Sequence, residues 1–125
     1  MYLVDTNIFL EILLKQDKSE LCKSFLEKNI GAINISDFTL HSIGVILFKQ
    51  NEEQSFLKFI SDTLPKANLL TLPKDKYKEI IKIRNEFNLD FDDSYQYNIC
   101  THFDLKFVTM DQDFKKAKDI EIQFL

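Results

Sequence analysis

Glycine, proline and cysteine each occur only twice in the 125 residues, and tryptophan is absent. So few turn-forming residues exclude a fold built from many tight hairpins, which leaves helices joined to short buried strands. Cys22 and Cys100 stand far apart, in no metal-ligand spacing, and read as reduced thiols in a core. No apolar run approaches the roughly 20 residues that a membrane span requires. The opening MYLVDTN has no basic flank and its apolar run breaks at Asp5. Neither a secretory leader nor a membrane anchor is expected, and the expected compartment is the cytoplasm. Basic charge is also short. A net charge of −4 argues against a general nucleic-acid surface, while leaving room for a local basic rim around an acidic site.

What the chain does have is apolar residues, at 45%, with phenylalanine supplying 12 of its aromatics. That is enough burial for one core, and residues 1–125 are expected to form a single domain. Short apolar runs at 1–4, 32–35, 68–72, 105–109 and 120–124 read as buried strands. Between them lie helical periodicities. Residues 7–14 carry a first helix, capped by Thr6 or Asn7, and 19–28 a second, ended by Asn29 and Gly31. Ser36 caps a helix over 37–50 that is apolar almost all round, hence buried on several sides. Further helices are expected at 52–63, with Phe56, Phe59 and Ile60 at core spacing, and at 73–87, opened by Pro73. An acidic turn at 90–93 leads into a helix to about Phe103, and 111–117 form a turn and a short helix. Strands alternating with helices predict a three-layer α/β/α arrangement around a central parallel sheet of four to five strands.

Most acids are mixed with lysines on helices and read as solvated faces. Three differ. Asp5 ends the first strand, Asp111 follows the fourth by two residues, and Asp93 lies in the first turn of the helix feeding that fourth strand. In parallel sheets, ligands bind outside the carboxyl ends of the strands, where strand order reverses. Carboxylates gathered there without basic partners repel one another, and a hard divalent cation relieves them. The same acids fit a second reading, in which Asp5, Asp92 or Asp93 caps a helix and Asp111 and Asp113 shape an Asx turn.

VDTNIFLEIL, ISDFTLHSIGVIL and DDSYQYNICTHFDLKFVTMDQDF occur in that order across nearly the whole chain. Together they resemble the PIN-domain family. The resemblance implies a magnesium- or manganese-dependent endoribonuclease, holding one or two ions, as in toxins of VapC-type toxin–antitoxin pairs. Metal-activated water would hydrolyse RNA phosphodiesters. By position, Asp5, Asp93 and Asp111 match the first, third and fourth family acids and Asp113 an extra acid, all implied metal ligands. Asn7 and Thr109 match polar residues that orient the acids. The second family acid falls at Ser42, which carries no charge, with His41 about 100° away around the helix and Asp37 the nearest acid. The resemblance therefore leaves two functions open: a working ribonuclease, or a weak or inactive PIN-fold binding module. A response-regulator-like acidic pocket fits the order of residues poorly.

Lys115 and Lys116 follow the last acid and are the candidate phosphate contacts. Tyr95 and Tyr97 offer either base stacking or core packing, and His102 reads as a cap or surface residue. The implied partners are RNA, an antitoxin protein and a second copy of the chain. The apolar helices between Ile43 and Ile60 are the candidate surface for the latter two, with core burial as the alternative.

Overall fold

A computed structural model describes residues Met1–Leu125. Five strands form one parallel sheet: β1 (Tyr2–Val4), β2 (Ile33–Ser36), β3 (Asn68–Leu70), β4 (Lys106–Thr109) and β5 (Ile122–Phe124), in the order β3-β2-β1-β4-β5. Six α-helices cover it: α1 (Thr6–Leu13), α2 (Ser19–Lys28), α3 (Asp37–Lys49), α4 (Glu53–Lys58), α5 (Lys78–Phe87) and α6 (Phe91–Phe103).

β1 and β4, at the centre of the sheet, are mostly apolar because both sheet faces are covered there, while the edge strands β3 and β5 are partly exposed. Leu3 pairs with Phe107 and Val4 with Val108. Side chains alternate between faces along a strand. Leu3 and Phe107 therefore join one core with Tyr95, Ile99 and Phe114, while Val4 and Val108 join the other with Ile8, Phe9, Ile43 and Phe59. Edge-to-face contact between Phe9 and Phe59, with centroids 5.4 Å apart, ties α1 to the end of α4. α3 meets α4 where Gly44 faces the Phe56 ring, at a distance that would place a Cβ in ordinary contact with it, 3.4 Å away.

Several boundaries differ from the sequence expectation. α1 is capped by Asp5, as the second reading of that acid expected, and not by Thr6 or Asn7. α4 passes into a π-helical turn over Phe59–Thr63 and a 3₁₀ turn over Leu64–Lys66. β3 stops at Leu70 because the N–H of buried Leu72 bonds the Tyr95 hydroxyl at 3.0 Å and leaves the sheet. Pro73 precedes a 3₁₀ turn over Lys74–Lys76, so α5 begins only at Lys78. Residues 112–116 form a 3₁₀ turn, and Ile120 stays outside β5. α3 is not buried on all sides either: Ile43 and Leu47 face the core, while Val45 and Phe48 are more than half exposed. Ile60, expected in the core, is 39% exposed. No helix is long and apolar enough to cross a membrane.

Candidate metal centre

After β1 the chain builds the sheet outward through β2 and β3, then returns to place β4 on the other side of β1. The order reverses between β1 and β4, and the crevice lies at their carboxyl ends. A cavity of about 170 Å³ opens there, walled by Asp5, Asp93, Asp111, Ser42 and Gln96 among others.

Asp5 is only 8% exposed, and its oxygens are both engaged. Oδ1 accepts from the Thr6 N–H at 2.8 Å, and Oδ2 accepts from the Thr109 hydroxyl at 2.7 Å. Burial pushes its pKa up and the nearby Asp111 adds to the shift, while the bonds from Thr109, Thr6 and the Gln96 amide pull it back. The register that pairs Val4 with Val108 sets Thr109 beside Asp5. The same Thr109 oxygen accepts from the Asp111 N–H at 2.9 Å, so one hydroxyl fixes two acids.

Asp93 stands in the first turn of α6, partly buried. Burial, and then the charges of Asp92, Asp111, Asp5 and Asp90, raise its pKa to about 7. Asp111 shapes an Asx turn by accepting from the Asp113 N–H at 2.9 Å. The alternative reading of these acids as caps and turn-formers therefore holds locally for Asp5 and Asp111, alongside their convergence.

Asp93, Asp111 and Asp113 form a trio whose carboxylate oxygens lie within 4.8 Å of one another. Asp5 faces the same cavity but stands outside that trio. Asp90, Asp92 and Asp93 form a second group of the same tightness. Ser42 lines the cavity, as does Asn7 from its rim. His41 is exposed and away from it. Asp37 is no substitute acid, since it accepts from the Tyr95 hydroxyl at 2.6 Å and from the Phe38 N–H at 2.9 Å, outside the cavity wall.

Lys116 is tied to the Asn88 carbonyl at 2.9 Å, in a cleft that also holds Asp93 and Asp113, and Lys115 is exposed. Tyr95 and Tyr97 are buried, so core packing is their role. His102 is exposed and packs edge-on against Phe103. Cys22 and Cys100 are buried free thiols.

Sequence reasoning missed Gln96, Thr6 and Thr39. Gln96 had a signal, since it lies one helical turn beyond Asp93 on the same face. The chemistry of the donor set suits a hard divalent cation. Asp5, Asp93, Asp111 and Asp113 bring carboxylate oxygens together, and none has an ion-pair partner. In the neighbouring cleft, Arg84 pairs with Asp90 at 3.5 Å and Lys116 is tied to the Asn88 carbonyl, so neither forms an ion pair with these four acids. Oxygen donors carrying uncompensated charge fit magnesium or manganese.

Parallel α/β topology with acids gathered at the point of strand reversal defines a doubly wound protein with an acidic crevice. A model of the PIN domain matches residues 2–120, and the chain belongs to that family. No curated protein matches its sequence. Among solved structures, a toxin–antitoxin complex from Klebsiella pneumoniae is 23% identical with a TM-score of 0.74, covering 91% of this chain and 90% of the other. VapBC2 from Rickettsia felis, bound to a DNA fragment from its promoter, is 18% identical with a TM-score of 0.81, covering 98% and 97%. Mycobacterium tuberculosis VapC20, a sarcin–ricin loop cleaving toxin, is 13% identical with a TM-score of 0.82, covering 98% and 99%.

Proposed function

We propose that this PIN domain is a magnesium- or manganese-dependent endoribonuclease acting as the toxin of a toxin–antitoxin pair. The observation that carries the proposal is the convergence of Asp5, Asp93 and Asp111 on one crevice with no cationic side chain to balance them. Asp93, Asp111 and Asp113 would hold the ion, with Asp5 closing the site from β1. When bound, the ion supplies Lewis acidity toward a phosphodiester and makes water an effective nucleophile near neutral pH. The chain's own part is positioning. Thr109 and the Thr6 N–H fix Asp5, and Thr109 and the Asp113 N–H fix Asp111. Asp93 holds a proton near neutral pH until a cation takes its place. Lys115, exposed beside the last acid, is the candidate for contact with RNA phosphate, and Lys116 borders the neighbouring cleft.

Solved neighbours include toxin–antitoxin complexes, which supports an antitoxin partner here. The partly exposed apolar side of α3 and α4, with Val45, Phe48 and Leu57 all more than half exposed, is the surface offered to that partner or to a second copy.

A second reading, a catalytically weak or inactive binding module, draws on Ser42, which leaves the cavity one carboxylate short. Titrating magnesium and manganese into wild type and Asp93→Asn, with a mixed RNA pool as substrate, separates the two. Cleavage that needs the metal and disappears in Asp93→Asn supports the nuclease. No cleavage, and no metal binding that depends on Asp93, supports the binding module.

A further inference from the structure

The acidic crevice contains one polar atom that the fold leaves unanswered. Gln96 is only 1% exposed and lines the cavity together with Asp93 and Ser42. Its Nε2 donates to the Thr39 hydroxyl at 2.7 Å, and that oxygen also accepts from the Thr6 hydroxyl at 3.0 Å. The amide nitrogen is thus engaged inside the protein, which leaves the oxygen as the unanswered end. Its other end, Oε1, is shielded from solvent and is the one buried side-chain oxygen or nitrogen in the chain without a hydrogen-bond partner. A buried carbonyl without a donor is unfavourable and calls for a partner that the chain itself does not supply. An amide oxygen is a hard donor of the kind that joins carboxylates around divalent cations.

We propose that Gln96 Oε1 is an oxygen donor to the divalent cation of this crevice, the neutral replacement for the carboxylate missing at Ser42. The inference rests on the metal-dependent reading above and adds a residue to it. Gln96 sits one turn beyond Asp93 on α6, so the two side chains reach the cavity from the same helix face. Replacing a carboxylate by an amide lowers the site's negative charge while keeping an oxygen there.

The test is manganese binding by calorimetry without RNA, comparing wild type with Gln96→Leu, Gln96→Glu and Asp93→Asn. Gln96→Leu is expected to weaken manganese binding about tenfold or more. Gln96→Glu, which keeps the oxygen and restores the charge, is expected to bind at least as tightly as wild type. If both variants weaken binding, Gln96 merely braces Asp5 through its amide nitrogen and the proposal falls. It also falls if Gln96→Leu binds manganese like wild type while Asp93→Asn does not, and then the metal-dependent reading survives alone. A wild type that binds no manganese overturns both. Circular dichroism of the metal-free proteins checks folding, and should Gln96→Leu fail to fold, Gln96→Glu decides: retained or tighter binding supports the proposal, and loss overturns it.

Discussion

Asp93→Asn should stabilise the metal-free protein at neutral and alkaline pH while abolishing its response to metal. In the folded state the Asp93 pKa lies at about 7, against an ordinary aspartate value of 3.8, because of burial first and the neighbouring acids second. Between those values the folded chain keeps a proton that the unfolded chain has lost. Stability must therefore fall as pH rises through that window. A shift of this size corresponds to about 4 kcal/mol between the two protonation states. Asp93 is only partly buried, so solvent screening reduces the usable effect to about 1–2 kcal/mol. For a domain of this length that is about 4–8 °C in melting temperature. Wild type without metal should melt several degrees lower at pH 8 than at pH 5. Asp93→Asn should melt slightly above it at pH 5 and further above it at pH 8, and keep only the smaller slope left by Asp5, whose pKa is also raised. Manganese should lift wild type at pH 8 and leave the variant where it was. Scanning calorimetry at both pH values, with and without manganese, measures all four quantities. An Asp93→Asn protein with the wild-type pH slope and the wild-type metal response would refute the reasoning.

Thr109→Val removes the donor to Asp5 and the acceptor of the Asp111 N–H together. A loss of about 2 kcal/mol in urea denaturation is expected, with weaker manganese binding. Cys22 and Cys100 are buried and their thiol pKa values are raised by burial. A thiol reagent should modify the native protein only as fast as it opens, and at once in denaturant. Phe48→Asp, on the exposed side of α3, removes an edge-to-face contact with Phe56 and should cost about 1–2 kcal/mol of stability. Size-exclusion chromatography of the folded variant, with and without the proposed antitoxin partner, should show that the same change weakens self-association or capture of that partner.

The strand-end acids were legible because a parallel strand buried on both faces must be apolar until it leaves the sheet. Val4–Asp5 and Val108–Thr109 announce that exit in the sequence, and strand order then brings the two exits together. α6 was legible for a similar reason, since its start is marked by clustered Asp. Less was legible where one residue serves two masters. Asp5 is both helix cap and cavity wall, and Thr109 bridges two acids across a strand end. Those links depend on the register of β1 against β4, which no local pattern encodes. The exposed side of α3 was legible only as one of two readings, partner surface or core: Val45 and Phe48 have core chemistry, and composition cannot say that nothing within the chain covers them. Gln96 was passed over because its one signal, a place one turn beyond Asp93, is shared by any residue at that spacing. Its engaged nitrogen and orphaned oxygen are what single it out.

Ser42 is the strongest sequence argument for a lost activity, and the electrostatics of the crevice bear against it. Packing does not require Asp93 to be acidic. An asparagine would fill the same volume without the repulsion of Asp92, Asp111, Asp5 and Asp90. A module that used no cation would fold more stably with that charge removed, and it would have no use for a buried carbonyl left unpaired beside it. The fold instead carries both burdens at one place, where strands reverse and ligands bind. An unfavourable arrangement that a single substitution would relieve favours the proposed cation over a module without one, because a divalent cation would answer the raised acids and the orphaned oxygen together.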